Sequence, residues 1–344
     1  MAMKVYTIKQ AGEWDAVVRT FKDYDVYWLS GYVKAFHIHG DGEPLLFYYT
    51  DENVRGINVV MKRDIALNIH FKGRIKEGQY FDLSTPYGYG GWIIEGDDTT
   101  GLFCAYNEFL HEKGIISEFV RFHPMLKNHK KCIGIYKIIQ LGEVVHMDLS
   151  SPERIWNNII SKNRNMIRKA IKNDIRIYNG RFPDVFEKFR MVYNRTMDKD
   201  EAESYYYFDK QFYDSILEDL PYNAQVFWAE KDKKVIAASI ILMTNKKMNY
   251  HLSGSLREYN SFAPTNLLLY NVALWGCSNG YETFYLGGGV GSNEDSLFKF
   301  KRAFYRDDLN HFFIGKKIYN QEKYNELVEM RGLAESEYFP QYRG

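Results

Sequence analysis

The sequence predicts an α/β (α+β) protein of two layered halves, on three observations. The 344-residue chain is long enough for two domains. The order helix, helix, three-strand meander, helix, strand runs through 150–290, and a looser succession of strands and helices fills the first 147 residues. Turn-bounded apolar runs alternate with amphipathic stretches, so an α/β layer fold with a mixed sheet is expected.

In the first half, EPLLFYYTDENVRGINVVMKRDI (43–65) is two apolar runs around a polar turn, a hairpin pattern. YFDLSTPYGYGGWII (80–94) reads strand, turn, strand. TGLFCAYNEFLHEKG (100–114) places Leu102, Phe103, Tyr106, Phe109 and Leu110 at helical spacing and ends on Gly114. ISEFVRFHPM and VVHMDLS are strand-like. A helix is predicted over 150–175, with Ser150 as N-cap, a proline in the first turn and Glu153 completing a capping box. Helices are predicted at 182–197 and 208–220, a meander at 224–255 with turns at Lys231–Lys234 and Asn245–Lys247, a helix at 265–280, the strand YETFYL, and a last helix near NQEKYNELVEMRG.

Composition excludes several classes. Net charge is +1, so the whole molecule is not a polycation built for nucleic acid. The stretch 151–180 is locally basic, with seven Lys/Arg against Glu153 and Asp174, a pattern that usually marks a solvated helix face. Three scattered cysteines and nine histidines without ligand spacing support neither a disulfide framework nor a metal site. No apolar run approaches a membrane span and the N-terminus has no signal-peptide core, so a cytoplasmic location is expected. Aromatics make up 17% of residues, serving either the core or an aromatic-lined groove.

The segment YLGGGVGSNEDSLFKFKRAF (285–304) carries the functional question. It does not fit GxxxxGK[ST], and in GxGxxG register Ser292 stands at the third glycine, while Glu294 and Asp295 would repel phosphate. The plain reading is a turn needing glycine flexibility followed by a basic strand edge. The sharper reading is that glycines turn the backbone, Phe298, Phe300 and Phe304 anchor it, and a desolvated lysine is delivered to a developing oxyanion.

Six stretches in order, KNRNMIRKAIKNDI (162–175), YNRTM (193–197), YYYF (205–208), VIAASIIL with YHLSGS (235–255), APTNLLLYNVALWGCSNGYETFYLGGG (263–289) and LFKFKRAF (297–304), resemble the FemAB-like aminoacyltransferases, a branch of the GNAT acyltransferase superfamily. The resemblance covers about half the chain well; YWLSGYVKAF (27–36) and TPYGYGG (85–91) fit more loosely. It implies two GNAT-like domains, each a mixed, mostly antiparallel sheet flanked by helices, without a coiled-coil arm: residues 1–147 with 310–344 on the acceptor side, and 148–309 on the catalytic, donor side.

The implied chemistry is acyl or aminoacyl transfer to an amine of a cell-envelope precursor, a peptidoglycan-type peptide or an amino sugar. Lys301 and its neighbour Phe300 fall on the family's functional Phe-Lys pair. Lys34 corresponds to a precursor phosphate ligand. Arg257 lies in the donor-facing loop; Tyr205, Tyr206 and Tyr207, and in the first half Asp82, Tyr87 and Tyr89, are candidate groove residues. No cofactor is implied. The co-substrate is aminoacyl-tRNA or acyl-CoA, and tRNA is a further candidate partner; the stretch REYNSFAPTN (257–266) lacks the glycines of a CoA-binding turn. The alternatives are an N-acetyltransferase using acetyl-CoA on a small amine and a non-catalytic RNA-binding module. Oligomeric state, transferred group and acceptor are not legible.

Overall fold

The computed structural model describes residues 2–332 and 338–344. Contacts divide the chain into two compact units, 1–141 with 312–344, and 142–311.

The first unit begins with β1 (Ala2–Thr7), which pairs antiparallel with β2 (Glu43–Thr50). β2 pairs antiparallel with β3 (Arg55–Asp64), the hairpin read from 43–65. β3 pairs antiparallel with β4 (Phe81–Ser84) and with the short β5 (Ile93–Glu95). β4 runs parallel to β6 (Ile115–Arg121), and β6 is antiparallel to β13 (Asn310–Ile318). Helices α1 (Ala11–Val18), α2 (Ser30–His39), α3 (Thr100–Glu112) and α10 (Gln321–Arg331) belong to this unit. The apolar face of α3 buries Leu102, Phe103, Tyr106 and Leu110 against Phe47, Tyr49 and Trp92.

The second unit repeats this arrangement. β8 (Arg176–Gly180), β9 (Ala224–Lys231), β10 (Lys234–Thr244) and β11 (Lys247–Ser255) are successive antiparallel neighbours. β11 is parallel to β12 (Thr283–Gly287), and β12 is antiparallel to β7 (Lys137–Asp148). Both hairpin turns of the meander carry consecutive positive φ angles, Asp232 and Lys233, then Asn245 and Lys246, the geometry that a tight two-residue loop requires. The terminal strands are exchanged in chain order. After β6 the chain makes β7, which serves the second unit's sheet; after β12 it makes β13, which serves the first.

The helix expected over 150–175 is two. α4 (Pro152–Asn158) is capped by Ser151, not Ser150, and α5 (Ser161–Lys172) follows an extended break at Ile159 and Ile160. The Ile160 amide donates to the Ala303 carbonyl, a long-range bond that replaces the helical ladder there. α6 (Pro183–Lys199), α7 (Lys210–Asp219) and α8 (Pro264–Ser278) follow. α5 and α8 cover one face of the sheet, burying Ile167, Ala170, Leu268, Leu269 and Val272 with Phe227 and Met248. α6 packs on β10 and β11 so closely that a Cβ on Gly254 would lie 2.8 Å from the Tyr193 Cα. No helix among the described residues is long and apolar enough to cross a membrane, and no long coiled-coil pair is present among them.

Candidate functional site

The chemistry-bearing geometry of the second unit begins where two strands part. β11 and β12 are hydrogen-bonded over three residue pairs only, ending at Asn249 with Tyr285. Beyond that point β11 continues to Ser255 beside β10, while β12 stays with β7. The parallel pair therefore opens into a V. A bulge at His251 marks the divergence on β11, and a bulge at Leu286 marks it on β12. Burial lowers the His251 pKa to about 3, so this imidazole is neutral through the physiological range.

The glycine loop leaves the β12 arm of the V. Gly287 has φ +83°, and a Cβ on Gly289 would overlap Asn293 and the Asp295 carboxylate. LFKFKR is not a strand edge but the helix α9 (Ser296–Arg302). Asp295 is its N-cap, accepting from the Phe298 amide at 2.8 Å and, through its other oxygen, from the Val290 amide at 3.1 Å. Those amide bonds, with Lys301 nearby, hold the Asp295 pKa below the usual carboxylate range. The helix start where a phosphate would bind already has its anion, which agrees with the failed phosphate-loop motifs.

α9 turns Lys301 back onto the loop. Its side chain is only 8% exposed, and Nζ donates to the Gly288 carbonyl at 2.6 Å. Burial lowers its pKa to about 8, opposed by Asp295. The ammonium contacts a carbonyl; the rings act one step removed, with Phe298 and Phe304 in the core, and Phe300 half-buried and edge-on to Phe304 at 5.5 Å. An ammonium carries three N–H bonds and Gly288 takes one, leaving two for a negative oxygen.

Other second-unit candidates gather around the last turn of α6. Tyr207 donates to Asp198 at 2.9 Å, and Thr196 bonds the backbone of Ser255 at the end of β11. Tyr205 and Tyr206 are half-buried, edge to face at 5.4 Å. Arg257 is exposed, just past β11. The α8 start has Ala263 at φ +56° and Pro264 as first helical residue, so one amide that a pyrophosphate would need does not exist. On α5, Lys162, Arg168, Lys169 and Lys172 are exposed, and Arg168 lies 5.2 Å over the Trp156 ring.

In the first unit, Tyr87 stacks on Phe36 at 5.4 Å and its carbonyl accepts from the Tyr32 hydroxyl. Tyr89 is edge-on to Tyr27, His123 and Phe312. Beneath them lies a buried His123–Asp25 pair, 3.0 Å apart, which the sequence reading missed. Lys34 lies on α2 between Tyr32 and Phe36 and is half-buried. Asp82 is fully buried rather than facing a groove: it accepts from Arg63 at 2.6 Å, from Arg343 at 2.5 Å and from the Tyr342 hydroxyl at 3.2 Å. Its place is a clasp on the C-terminal residues. Asp295 was also missed as a site residue, although Asp three positions before a helical Phe is an N-cap signal. Among the described residues no cluster of three or more His, Cys, Asp or Glu is placed to hold a metal.

Residues 161–302 match the acetyltransferase (GNAT) domain family. The chain is 23% identical over 176 residues to the UDP-N-acetylmuramoylpentapeptide-lysine N(6)-alanyltransferase of Weissella viridescens, a match covering 49% of this chain and 50% of that one. The aligned stretch thus spans half the length of that curated relative. The fold is similar to the crystal structure of FemX, with TM-score 0.68, 14% identity, and 95% and 99% of the two chains covered. It is also similar to L-PGS from Bacillus licheniformis, with TM-score 0.55, 13% identity, and 95% and 98% covered. The chain is thus similar to a GNAT acetyltransferase domain over residues 161–302, to an alanyltransferase over about half its length, and to FemX in fold along nearly the whole chain.

Proposed function

We propose that the chain transfers an aminoacyl group from a carrier ester to an amine of a cell-envelope precursor of peptidoglycan type. In this reading the second unit holds the donor and the first, 1–147 with 310–344 in the sequence-based division, receives the acceptor. The observation that carries the reading is Lys301: a buried ammonium anchored to Gly288 on the β12 arm of a V between parallel strands.

The reaction asks for little else from side chains. The acceptor amine attacks the ester carbonyl, a C–N bond forms, and the carbonyl oxygen becomes negative. Lys301 donates to that oxygen, with Phe300 and Phe304 excluding water from the far side. The C–O bond breaks as the tetrahedral centre collapses, and the amine proton ends on the leaving carrier hydroxyl. Arg257 faces the donor; Tyr206 and Tyr207, and in the first unit Tyr87, Tyr89 and Lys34, serve the acceptor. Asp82 acts only by holding the first unit together.

Aminoacyl-tRNA is the favoured carrier over acetyl-CoA. Pro264 and the left-handed Ala263 stand where a CoA turn presents amides, while the exposed cations of α5 suit a phosphate backbone. The test is transfer from charged tRNA, and in parallel from acetyl-CoA, to a muropeptide precursor with an open lysine amine. Product from tRNA and none from acetyl-CoA is expected. Product from acetyl-CoA alone would install the acetyltransferase reading, and tRNA binding without product would install the RNA-binding one.

A further inference from the structure

A second surface, unrelated to Lys301, stands out in the first unit. A cavity of about 980 Å³ is lined by Lys137, Ile139, Leu141, Ile314, Lys316, Lys317, Ile318, Tyr324, Tyr338 and Phe339, with Gln321, Asn325 and Gln341. Among the described residues it is lined by three lysines and no carboxylate, and by none of the site residues discussed above. Its other walls are apolar and aromatic side chains together with the three amides. Lys316 Nζ lies 5.4 Å over the Phe339 ring, and Tyr338 is 54% exposed.

One wall of this cavity shares a small core with a projecting loop. Ile318, Tyr324 and Phe339 pack with Ile65, Phe71 and Ile75, and Phe71 meets Tyr342 edge-on at 6.1 Å. With Ile65, Phe71 and Ile75 as inward anchors, the loop turns Leu67 and Ile69 outward, 62% and 83% exposed. Lys72, Arg74 and Lys76 beside them are exposed too, and the acidic residues of this region, Asp64 and the exposed Glu77, flank the segment 65–76 without interrupting it. Two bare aliphatic tips ringed by cations, next to a lysine-lined apolar groove, form the composition that lies in a headgroup layer: tips at the acyl boundary, cations on phosphates.

We propose that this face of the first unit docks on an anionic phospholipid bilayer, the loop 65–76 inserting shallowly and the groove of Lys137 and Lys316 taking a lipid phosphate. The occupant is argued from charge complementarity and from the exposed tips, and it does not depend on the acyl-transfer reading. A soluble anion would use the groove but would have no call on Leu67 and Ile69; a neutral apolar partner would not select the cations.

The test is flotation of the full chain with vesicles of phosphatidylcholine alone or mixed with phosphatidylglycerol. Binding to the mixed vesicles only is expected, falling as salt rises from ~0.1 to ~0.5 M. Leu67→Ser with Ile69→Ser should lower partitioning roughly tenfold. Lys137→Gln with Lys316→Gln should lower it about fivefold per lysine removed. All four positions are at least partly exposed, and circular dichroism confirms that the variants fold. No binding to mixed vesicles, equal binding to both vesicle types, or binding that neither variant pair weakens would each overturn the proposal.

Discussion

The two units share one strand order and one set of strand senses, yet their parallel pairs differ. In the second unit β11 and β12 part after Asn249–Tyr285. In the first, β4 and β6 stay paired from Phe81 with Ile115 to Ser84 with Phe119, and the ladder is prolonged by Thr85 to Phe119 and Gly90 to Arg121 bonds. The first unit thus closes the slot that the second opens. The residues follow the same division. At the closed pair stands Asp82, a carboxylate locked between two guanidinium groups; at the open one stands Lys301, a cation with a single carbonyl partner. In the proposed reading the duplicated architecture separates holding from reacting, because a zipped pair stabilises and a splayed pair makes room.

Asp82→Asn is expected to have the largest effect on stability. It leaves two guanidinium groups facing a neutral amide in a buried site, which costs about 3–5 kcal/mol. Hydrogen exchange should show lost protection in 81–84 and 338–344 while the meander 224–255 stays protected. Equal protection in variant and wild type would mean that the clasp does not hold the first unit.

Lys301→Met tests the opposite pole. Turnover should fall by about 10²–10³. Stability should rise, since a pKa depressed from 10.5 to about 8 is a folding penalty of about 3 kcal/mol. The penalty is full below pH 8, where folded and unfolded lysine are both charged. It fades between 8 and 10.5, where the folded form is neutral and the unfolded one is not. The gain in Tm should therefore be greatest at neutral pH and vanish toward pH 10.5. Wild-type kcat/KM should decline as pH rises through about 8, as the donating ammonium is lost. A rate that climbs through that pH would make Lys301 a base instead, and unchanged turnover in Lys301→Met would end its role.

Much of the element order was readable from the sequence, and the unreadable part has a common cause. The hairpin 43–65 and the meander announce themselves by local alternation and turn residues, and α3 by its apolar spacing. The segment 285–304 stood out because glycines, aromatics and lysines sit close together in it, and within it Lys301 was singled out by the resemblance. Asp82 was misread because its partners, Arg63 and Arg343, lie 19 and 261 positions away. The break at Ile159–Ile160 was invisible for the same reason: apolar periodicity runs through it, and only the Ala303 carbonyl dictates otherwise. The placing of 310–344 with the first half was an implication of the resemblance, whereas the pairing of β7 with β12 is a choice between distant strands on which composition is silent.

Gly289→Ala is a smaller, sharper probe of the open side. The added methyl overlaps the Asp295 carboxylate and the Asn293 backbone, so the cap must shift and the loop carrying Gly288 with it. A stability loss of about 1–2 kcal/mol is expected, with a fall in kcat and little change in donor KM, because Lys301 is misplaced rather than removed. Loss of KM alone would make the loop a binding element and not a support for Lys301.

Arg257→Ala should do least to the fold and still report on the V. The side chain is exposed at the end of β11, where the strand has no β12 neighbour, so stability should change by less than about 0.5 kcal/mol. If the donor enters beside that strand end, a guanidinium there meets its phosphates early, and that contact is the same in ground and transition states. Donor KM should then rise severalfold with kcat unchanged, and the effect should shrink in high salt as screening replaces the lost charge. The matching end of β4 is sealed by the Thr85 and Gly90 bonds, so replacing the exposed Lys22, Lys72 or Lys76 of the first unit should leave donor KM alone. A donor KM that responds to those first-unit lysines and not to Arg257 would reverse the assignment of donor and acceptor to the two units.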